Sequence, residues 1–378
     1  MNKELEIFDY LKDIKDPRLD RKKLHLLIDI LVIAISAVIC GADNWNEIED
    51  FGHAKEKWFK KFLKLPNGIP SHDTFNRVFS LLTPEWFSES TMSFFVSKIG
   101  EIREHIAIDG KTIRRSGDKK NDKSAIHIVS AWLSESGLSI GQVKVDDKSN
   151  EITAIPELLD KLEIQHSIIS VDAMGAQKKI TEKITEKKAD YVIALKENHP
   201  ILYNEVHSFF KSSYDNKFID TKFQYRMTEE KSHGRIEKRE YWLVSNIDWI
   251  SQRDEWSNLN SIGMVRSETT IGDKTTTAVR YYLSSLKNAP VLFQNSVREH
   301  WTIETSCHWV LDVAFREDES RARNAHAAEN FSILRKVALN LLKNEKSCKL
   351  GIHGKRLKCG WDDDYFLKVL GFGNDTNN

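Results

Sequence analysis

The sequence predicts an α/β protein with a mixed central sheet, preceded by an all-α stretch and interrupted late by a β-rich segment. Three observations carry this. Apolar residues recur at helical spacing from the start to about residue 100. Near residue 104 the pattern changes to short β-type runs, HIAIDG, AIHIVSAWL and LSIGQVKVD, and strands then alternate with helices. From about 215 to 290 that alternation stops, and strand-like runs follow one another.

In chain order, LHLLIDILVIAISAVI reads as a buried helix, and AKEKWFKKFLKL as an amphipathic basic one ended by Pro66, Gly68 and Pro70. SHDTFNRVFSLL starts behind Ser71 as an N-cap, and PEWFSESTMSFFVSKI begins with Pro84 in its first turn. After the three consecutive strands, EITAIPELLDKL reads as a helix, HSIISVDA as a strand, and QKKITEKITEKK as an exposed helix. DYVIALKEN and LYNEVHSFFKSS continue the rhythm. FQYRMTEE, RIEKREYWLVS, SIGMVRSETT and TTTAVRYYLSSL read as antiparallel strands, with Gly272–Asp273 a hairpin turn. Two long helical stretches, around VREHWTIETSCHWVLDVAF and AAENFSILRKVALNLLKN, precede a basic tail. The expected organisation is an N-terminal helical domain, 1–100, and an α/β domain, 101–378, with a β-rich insertion at 215–290.

Composition narrows the class. A hydrophobic content of 40% supports real cores, and a formal net charge of +0 says nothing about partners until charges are mapped locally. Cys40, Cys307, Cys348 and Cys359 stand far apart without a CxxC pair, which argues against a disulfide framework or a zinc finger and suits a reducing cytoplasm. The N-terminal stretch lacks the apolar core and cleavage site of a signal peptide. Leu26 to Ala42 approaches the length of a membrane span, but Asp29 sits inside it and Lys22, Lys23 and His25 precede it. A buried core helix is the better reading, and a soluble, cytoplasmic protein is expected.

Two strand-like runs, IAIDG and IISVDA, end in Asp109 and Asp172. An acid at the end of a buried strand meets ligand at the sheet's edge without being buried unpaired. Strand-end aspartates also commonly cap turns, and either residue alone fits that reading. In REHWTIETSCHWVLDVAFRED, Trp301, Ile303 and Val310 mark an apolar face, while Glu304, His308 and Asp312 recur at i, i+4, i+8 along one stripe. That stripe is either a solvated face or the source of a third acid. Two strand-end carboxylates with one from a covering helix would make a hard-oxygen pocket for Mg²⁺ or Mn²⁺. Two such ions, about 3.5–4 Å apart, suit an in-line phosphodiester displacement.

IAIDGKTIRRS, KSNEITAIPELLDKL, ISVDAMGAQKKI, DYVIALKENH, HGRIEKRE, REHWTIETSCHWVLDVAFRED and RARNAHAAENFSILRK resemble, in that order, the DDE transposases of the H-repeat-associated, ISAs-type insertion sequences. DPRLDRKKLHLLIDIL, GADNWNEIEDFG and LPNGIPSHDTFNRVFSLL resemble the helical domain associated with them, so the resemblance runs from about residue 5 to about 370. It implies a ribonuclease-H-like mixed sheet with helices on both faces, interrupted before the last catalytic helix. It also implies that Asp109, Asp172 and Glu304 are the catalytic, metal-binding triad. Related transposases carry a Y-x2-R-x3-E-x6-K pattern around the glutamate. Here Val297, His300 and Leu311 hold the other positions, leaving His300 to replace the arginine as a phosphate contact. Glu304 is therefore the least anchored of the three, with Asp312 or Glu317 the fallback, while His308 and Asp312 would support it from behind.

The implied activity is metal-dependent cleavage at element ends and strand transfer to target DNA. A nuclease without strand transfer and a catalytically silent DNA-binding relic are the alternatives. The implied partner is double-stranded DNA, handled by a homodimer at the nucleoid. Local positive charge should track phosphates. Lys111 to Lys123 carries six basic and two acidic residues directly after Asp109, and Arg335 to Lys358 eight basic and one acidic. Lys111, Arg114, Arg115 and Lys196 are the expected contacts, against the alternative of a merely solvated loop. HGRIEKRE either touches DNA or pairs its own charges. The helical domain either recognises the element's ends or serves dimerisation.

Overall fold

The computed structural model describes residues 6–118, 121–146, 149–232 and 234–371. Six helices come first: α1 Glu6–Lys12, α2 Leu27–Ile39, α3 Trp45–Ala54, α4 Glu56–Phe59, α5 His72–Leu81 and α6 Pro84–Ile99. The sheet opens with β1 His105–Thr112, β2 His127–Leu133 and β3 Leu138–Lys144. Helix α7 Glu151–Asp160, β4 Ile168–Val171, α8 Lys178–Glu186, β5 Asp190–Leu195 and α9 Pro200–Asp215 follow. Strands β6 Gln224–Ser232, β7 Arg235–Val244, β8 Ser261–Ile271 and β9 Lys274–Ser284 come next. The chain closes with α10 Pro290–Ile303, α11 Trp309–Phe315, α12 Ala327–Asn344, α13 Ile352–Trp361 and α14 Asp363–Val369.

All nine strands form one mixed sheet, in the order β3-β2-β1-β4-β5-β9-β8-β7-β6. β1, β4 and β5 run parallel, and the remaining neighbours are antiparallel. The late β-type runs thus extend the same sheet beyond β5. Gly272 has φ +56° in the hairpin between Ile271 and Lys274, a conformation that favours glycine. The far halves of β8 and β9 project into solvent, whereas their near halves pack under α10. Phe293 of α10 lies so close over β8 that a Cβ on Gly263 would collide with its ring.

Alternation along β1 decides which way its side chains point. Ile106 and Ile108 join Ile155, Leu158, Ile180 and Leu202 from α7, α8 and α9 on one face. Ala107 joins Ile303, Leu311 and Phe331 on the other. That second core also takes in α2, α5 and α6, so helices from both ends of the chain share it. Asp29, the acid within the apolar α2, is buried but accepts a hydrogen bond from Leu65 N at 3.0 Å. No helix among the described residues is long and apolar enough to cross a membrane.

Three expectations need correction. Ser71 precedes α5 but makes no cap bond; the N–H of His72 donates instead to Glu49 Oε2 at 2.8 Å, so a neighbouring helix does the capping. The buried face of the helix through residue 304 is Ile303, Cys307, Leu311 and Phe315, while Trp301 is exposed beneath Arg280. The basic tail does not track phosphate as a whole, because Arg335, Lys336, Lys355 and Arg356 are buried. Lys336 Nζ donates to Ser130 Oγ and Gln142 Oε1, both at 2.7 Å, and the Arg335 guanidinium stacks 4.1 Å from the Phe331 centroid. Periodicity fails there because Lys336, Lys355 and Arg356 sit inside a core where facing polar groups satisfy them, while Arg335 is held against an aromatic ring with no hydrogen-bond partner among the described residues.

Arg356 is the clearest case. It donates to Val38 O in the last turn of α2 and to Ala42 O just past it, to Asp43 Oδ1 at 3.0 Å, and to Ala314 O at the end of α11. One guanidinium thus ties three helices. Arg356→Met should lower unfolding free energy by about 3–5 kcal/mol, since it strands Asp43 and several helix-end carbonyls. Denaturant titration measures this, and a loss under about 1 kcal/mol would mean the cluster is not a brace.

Candidate active site

Asp109 follows Ala107 on the β1 face that looks toward α10 and α11. β1 runs on past Asp109 to Thr112 and pairs Asp109 with Ser130 of β2, so Asp109 lies within its strand, contrary to the expectation of a strand end. Because Ile108 pairs with Val171 in the parallel β1–β4 register, Asp172 follows the end of β4 beside it. Asp172 Oδ1 accepts from Met174 N at 2.9 Å and Gly175 N at 3.2 Å, so this residue also caps its turn.

The helix over these strands carries one wide turn of π type, Glu304–His308, where the N–H of Trp309 reaches back to Glu304 O. Across that turn His308 Nδ1 lies 3.2 Å from Glu304 Oε2 and 3.7 Å from Asp109 Oδ2. One ligand atom from each of Asp109, Glu304 and His308 falls within 4.8 Å of the others. Two carboxylates and an imidazole at that separation fit a divalent cation. Glu304 is half-exposed, whereas the His308 side chain is only 3% exposed.

Burial pushes the Asp109 carboxyl up to about 6; His308 and the Gly110 N–H oppose this, and the charges of Glu151 and Asp172 add to it. A hydrogen bond from His308 holds Glu304 below the ordinary carboxylate range, against partial burial.

Two residues of this neighbourhood carried no signal in the sequence. Glu151, the first residue of α7, lies 2.7 Å through Oε1 from His127 Nε2, and His127 Nδ1 is 2.8 Å from Thr112 Oγ1. They sit so tightly against Gly110 that a Cβ there would collide with both. The glycine after the aspartate in IAIDG was the one visible trace of this approach.

The remaining expected residues divide. Lys111, two along from Asp109, is gripped by Asp312 at 2.6 Å, Glu317 at 3.3 Å and Asp318 at 3.4 Å. Asp312 therefore meets Lys111, not His308. Glu317 is fully buried and bonded to Ser332 Oγ; burial alone would raise its pKa, but Lys111, Arg335 and Lys336 hold it low. His300 is hydrogen-bonded through Nδ1 to Ser170 Oγ at 2.8 Å. Burial lowers its pKa to about 4, so near neutral pH it offers no positive charge. Arg114 is exposed and reaches Asp318 at 3.1 Å; Arg115 and Lys196, just past β5, are exposed. Lys119 and Lys120 of the same basic loop lie outside the described residues, as does His233 of HGRIEKRE. In that hairpin, Arg235 and Arg239 pair with Glu237, and Arg266 of the neighbouring β8 pairs with Glu240. A cleft of about 680 Å³ between α6, β3 and α7 is lined by more acids, among them Glu85, Glu89, Glu157 and Glu329, than bases, Lys144 and Lys161.

A mixed α/β sheet with acids on neighbouring parallel strands and another on a covering helix is an arrangement suited to a divalent metal ion. Residues 100–341 match the family model described as transposase DDE domain, and residues 8–95 match the associated model, DDE_Tnp_1-associated. The chain belongs to the DDE transposase family, as a divalent-metal-using, DNA-binding transposase of an insertion sequence. It is 44% identical over 371 residues to "Putative transposase YncI" of Escherichia coli O157:H7, covering 96% of this chain and 94% of that protein. It is 38% identical over 373 residues to "H repeat-associated putative transposase YhhI" of Escherichia coli K12, covering 97% of each.

The raised Asp109 pKa has a signed consequence. Folding strengthens proton binding there, so the metal-free protein should lose stability as pH rises from about 4 to about 6. Divalent-ion affinity should run the other way and fall as pH drops below about 6, because the ligand must be ionised. Asp109→Asn should flatten the first dependence. Superimposable stability–pH curves for wild type and variant would contradict the assignment.

Proposed function

We propose that the chain cuts DNA at the ends of its element and joins the freed 3′-hydroxyl to target DNA, with Asp109, Asp172 and Glu304 as the acids that hold two Mg²⁺ or Mn²⁺ ions. The observation that carries this is the approach of Asp109 and Glu304, one ligand atom of each lying within 4.8 Å of the other, with Asp172 following the neighbouring parallel strand β4. The order β3-β2-β1-β4-β5, with β1, β4 and β5 parallel, supports a ribonuclease-H-like core. On this reading residues 101–378 form the catalytic domain with 215–290 inserted, and residues 1–100 form a helical domain for end recognition or dimerisation.

Bound divalent cations supply Lewis-acid activation of the attacking oxygen and charge stabilisation at the leaving one. The chain's own groups do the rest. Asp109 and Asp172 orient from rigid strands, and Glu304 closes over them from the helix. Lys111, engaged with Asp312, fixes that helix against β1 and neutralises part of the local acidity. Arg114, Arg115 and Lys196 lie at the exposed rim, where they would guide phosphates, and a neutral His300 would offer hydrogen bonding only. Synapsis of two ends makes a homodimer the working state, in the cytoplasm at the nucleoid.

Incubating the protein with Mg²⁺ and DNA carrying the element's terminal repeats tests the reading. Joined products are expected; cut but unjoined ends would indicate a nuclease, and a bound but uncut duplex a silent relic. Glu304→Gln should lower cleavage at least about 10³-fold with DNA binding largely kept, while Asp312→Asn reduces it only modestly. Normal cleavage by Glu304→Gln would overturn the triad. Arg→Ala at both 114 and 115 should lower the slope of log K against log salt by about 1 for each phosphate no longer neutralised. An unchanged slope would make that loop merely solvated.

A further inference from the structure

We propose that His308 is itself a ligand of the divalent cation, through Nδ1, so that one nitrogen joins the carboxylates. The inference rests on the reading of Asp109 and Glu304 as metal ligands and goes beyond it. His308 is buried, its Nδ1 faces Glu304 Oε2 at 3.2 Å and Asp109 Oδ2 at 3.7 Å, and its Nε2 has no hydrogen-bond partner among the described residues.

A neutral imidazole carries a single N–H, and neither placement satisfies this ring. With the proton on Nδ1, the ring donates to Glu304 and leaves the Nε2 lone pair buried without a donor. With the proton on Nε2, the Nδ1 lone pair points at two carboxylate oxygens, which is repulsive. A cation shared by Nδ1 and the two carboxylates turns that repulsion into coordination. The i, i+4 spacing of Glu304 and His308 puts the glutamate and the imidazole on the same side of the helix, facing Asp109, and the wide turn spans both. A nitrogen ligand also changes metal preference: imidazole favours Mn²⁺ or Co²⁺ over Mg²⁺, which prefers an all-oxygen shell.

The test is pulsed electron paramagnetic resonance on the full-length protein loaded with Mn²⁺. Electron spin echo modulation from a directly coordinated ¹⁴N is expected in wild type, and ¹⁵N-histidine labelling should replace it with the ¹⁵N pattern. His300→Gln should keep the modulation, and His308→Gln should lose it while weakening Mn²⁺ affinity by about 10-fold or more. If His308→Gln does not fold, the labelled His300→Gln protein still reports whether a histidine nitrogen is bound. Mn²⁺ that binds in an Asp109-dependent way without nitrogen modulation would overturn the His308 proposal and leave the carboxylate site standing. Mn²⁺ binding indifferent to both Asp109→Asn and Glu304→Gln would bring down both.

Discussion

Negative charge concentrated at one point of the sheet is the constraint around which the rest of this protein is arranged. Asp109 and Asp172 follow paired residues of β1 and β4, which are parallel and in register, and Glu151 adds a further acid at the start of α7. Burial then makes each charge costlier. The Asp109 carboxyl is raised accordingly, by burial first and by the neighbouring acids after it. A site of this kind is poised to take up cations, at the expense of the metal-free fold.

The counterweights lie in the helices that cross the sheet. Lys111 faces Asp312, Glu317 and Asp318, so the strand that carries Asp109 also carries the cation that secures the helix above it. Arg356 holds the far end of that helix through Ala314 O, and Asn330 of α12 donates to Phe79 O and Leu82 O at the end of α5. Buried groups bonded in this way resist displacement, because moving them would strand polar atoms in a core. The N-terminal helices therefore brace the helix that carries Glu304.

Placement of the basic residues separates two uses of positive charge. Lys336, Lys355 and Arg356 face inward onto hydroxyls, an amide and helix-end carbonyls, while Arg115 and Lys196 stay open to solvent. Counting basic residues along the chain merges these populations, although only the exposed ones can meet a phosphate backbone.

Much of the fold was legible in the chain itself, because alternation and helical spacing are local properties. IAIDG and IISVDA announced buried strands that carry acids, although β1 runs on past Asp109 to Thr112; the Gly272–Asp273 turn announced its hairpin, and Asp29 within an apolar run argued for a core helix rather than a span. Glu304 and His308 at i, i+4 were visible as neighbours for the same reason. Side-chain partners across long separations were not. The contacts of Glu151 with His127 and Gly110, the grip of three acids on Lys111, and the burial of Arg335 and Arg356 depend on which elements pack together. The wide turn that spans Glu304 and His308 was equally invisible, since the backbone can adopt it only where the surrounding packing repays a poorer hydrogen-bond pattern. The sequence by itself determined the strands, the helices and the acids offered; tertiary packing alone decided their partners, because charge and burial act through distances that the order of residues does not contain.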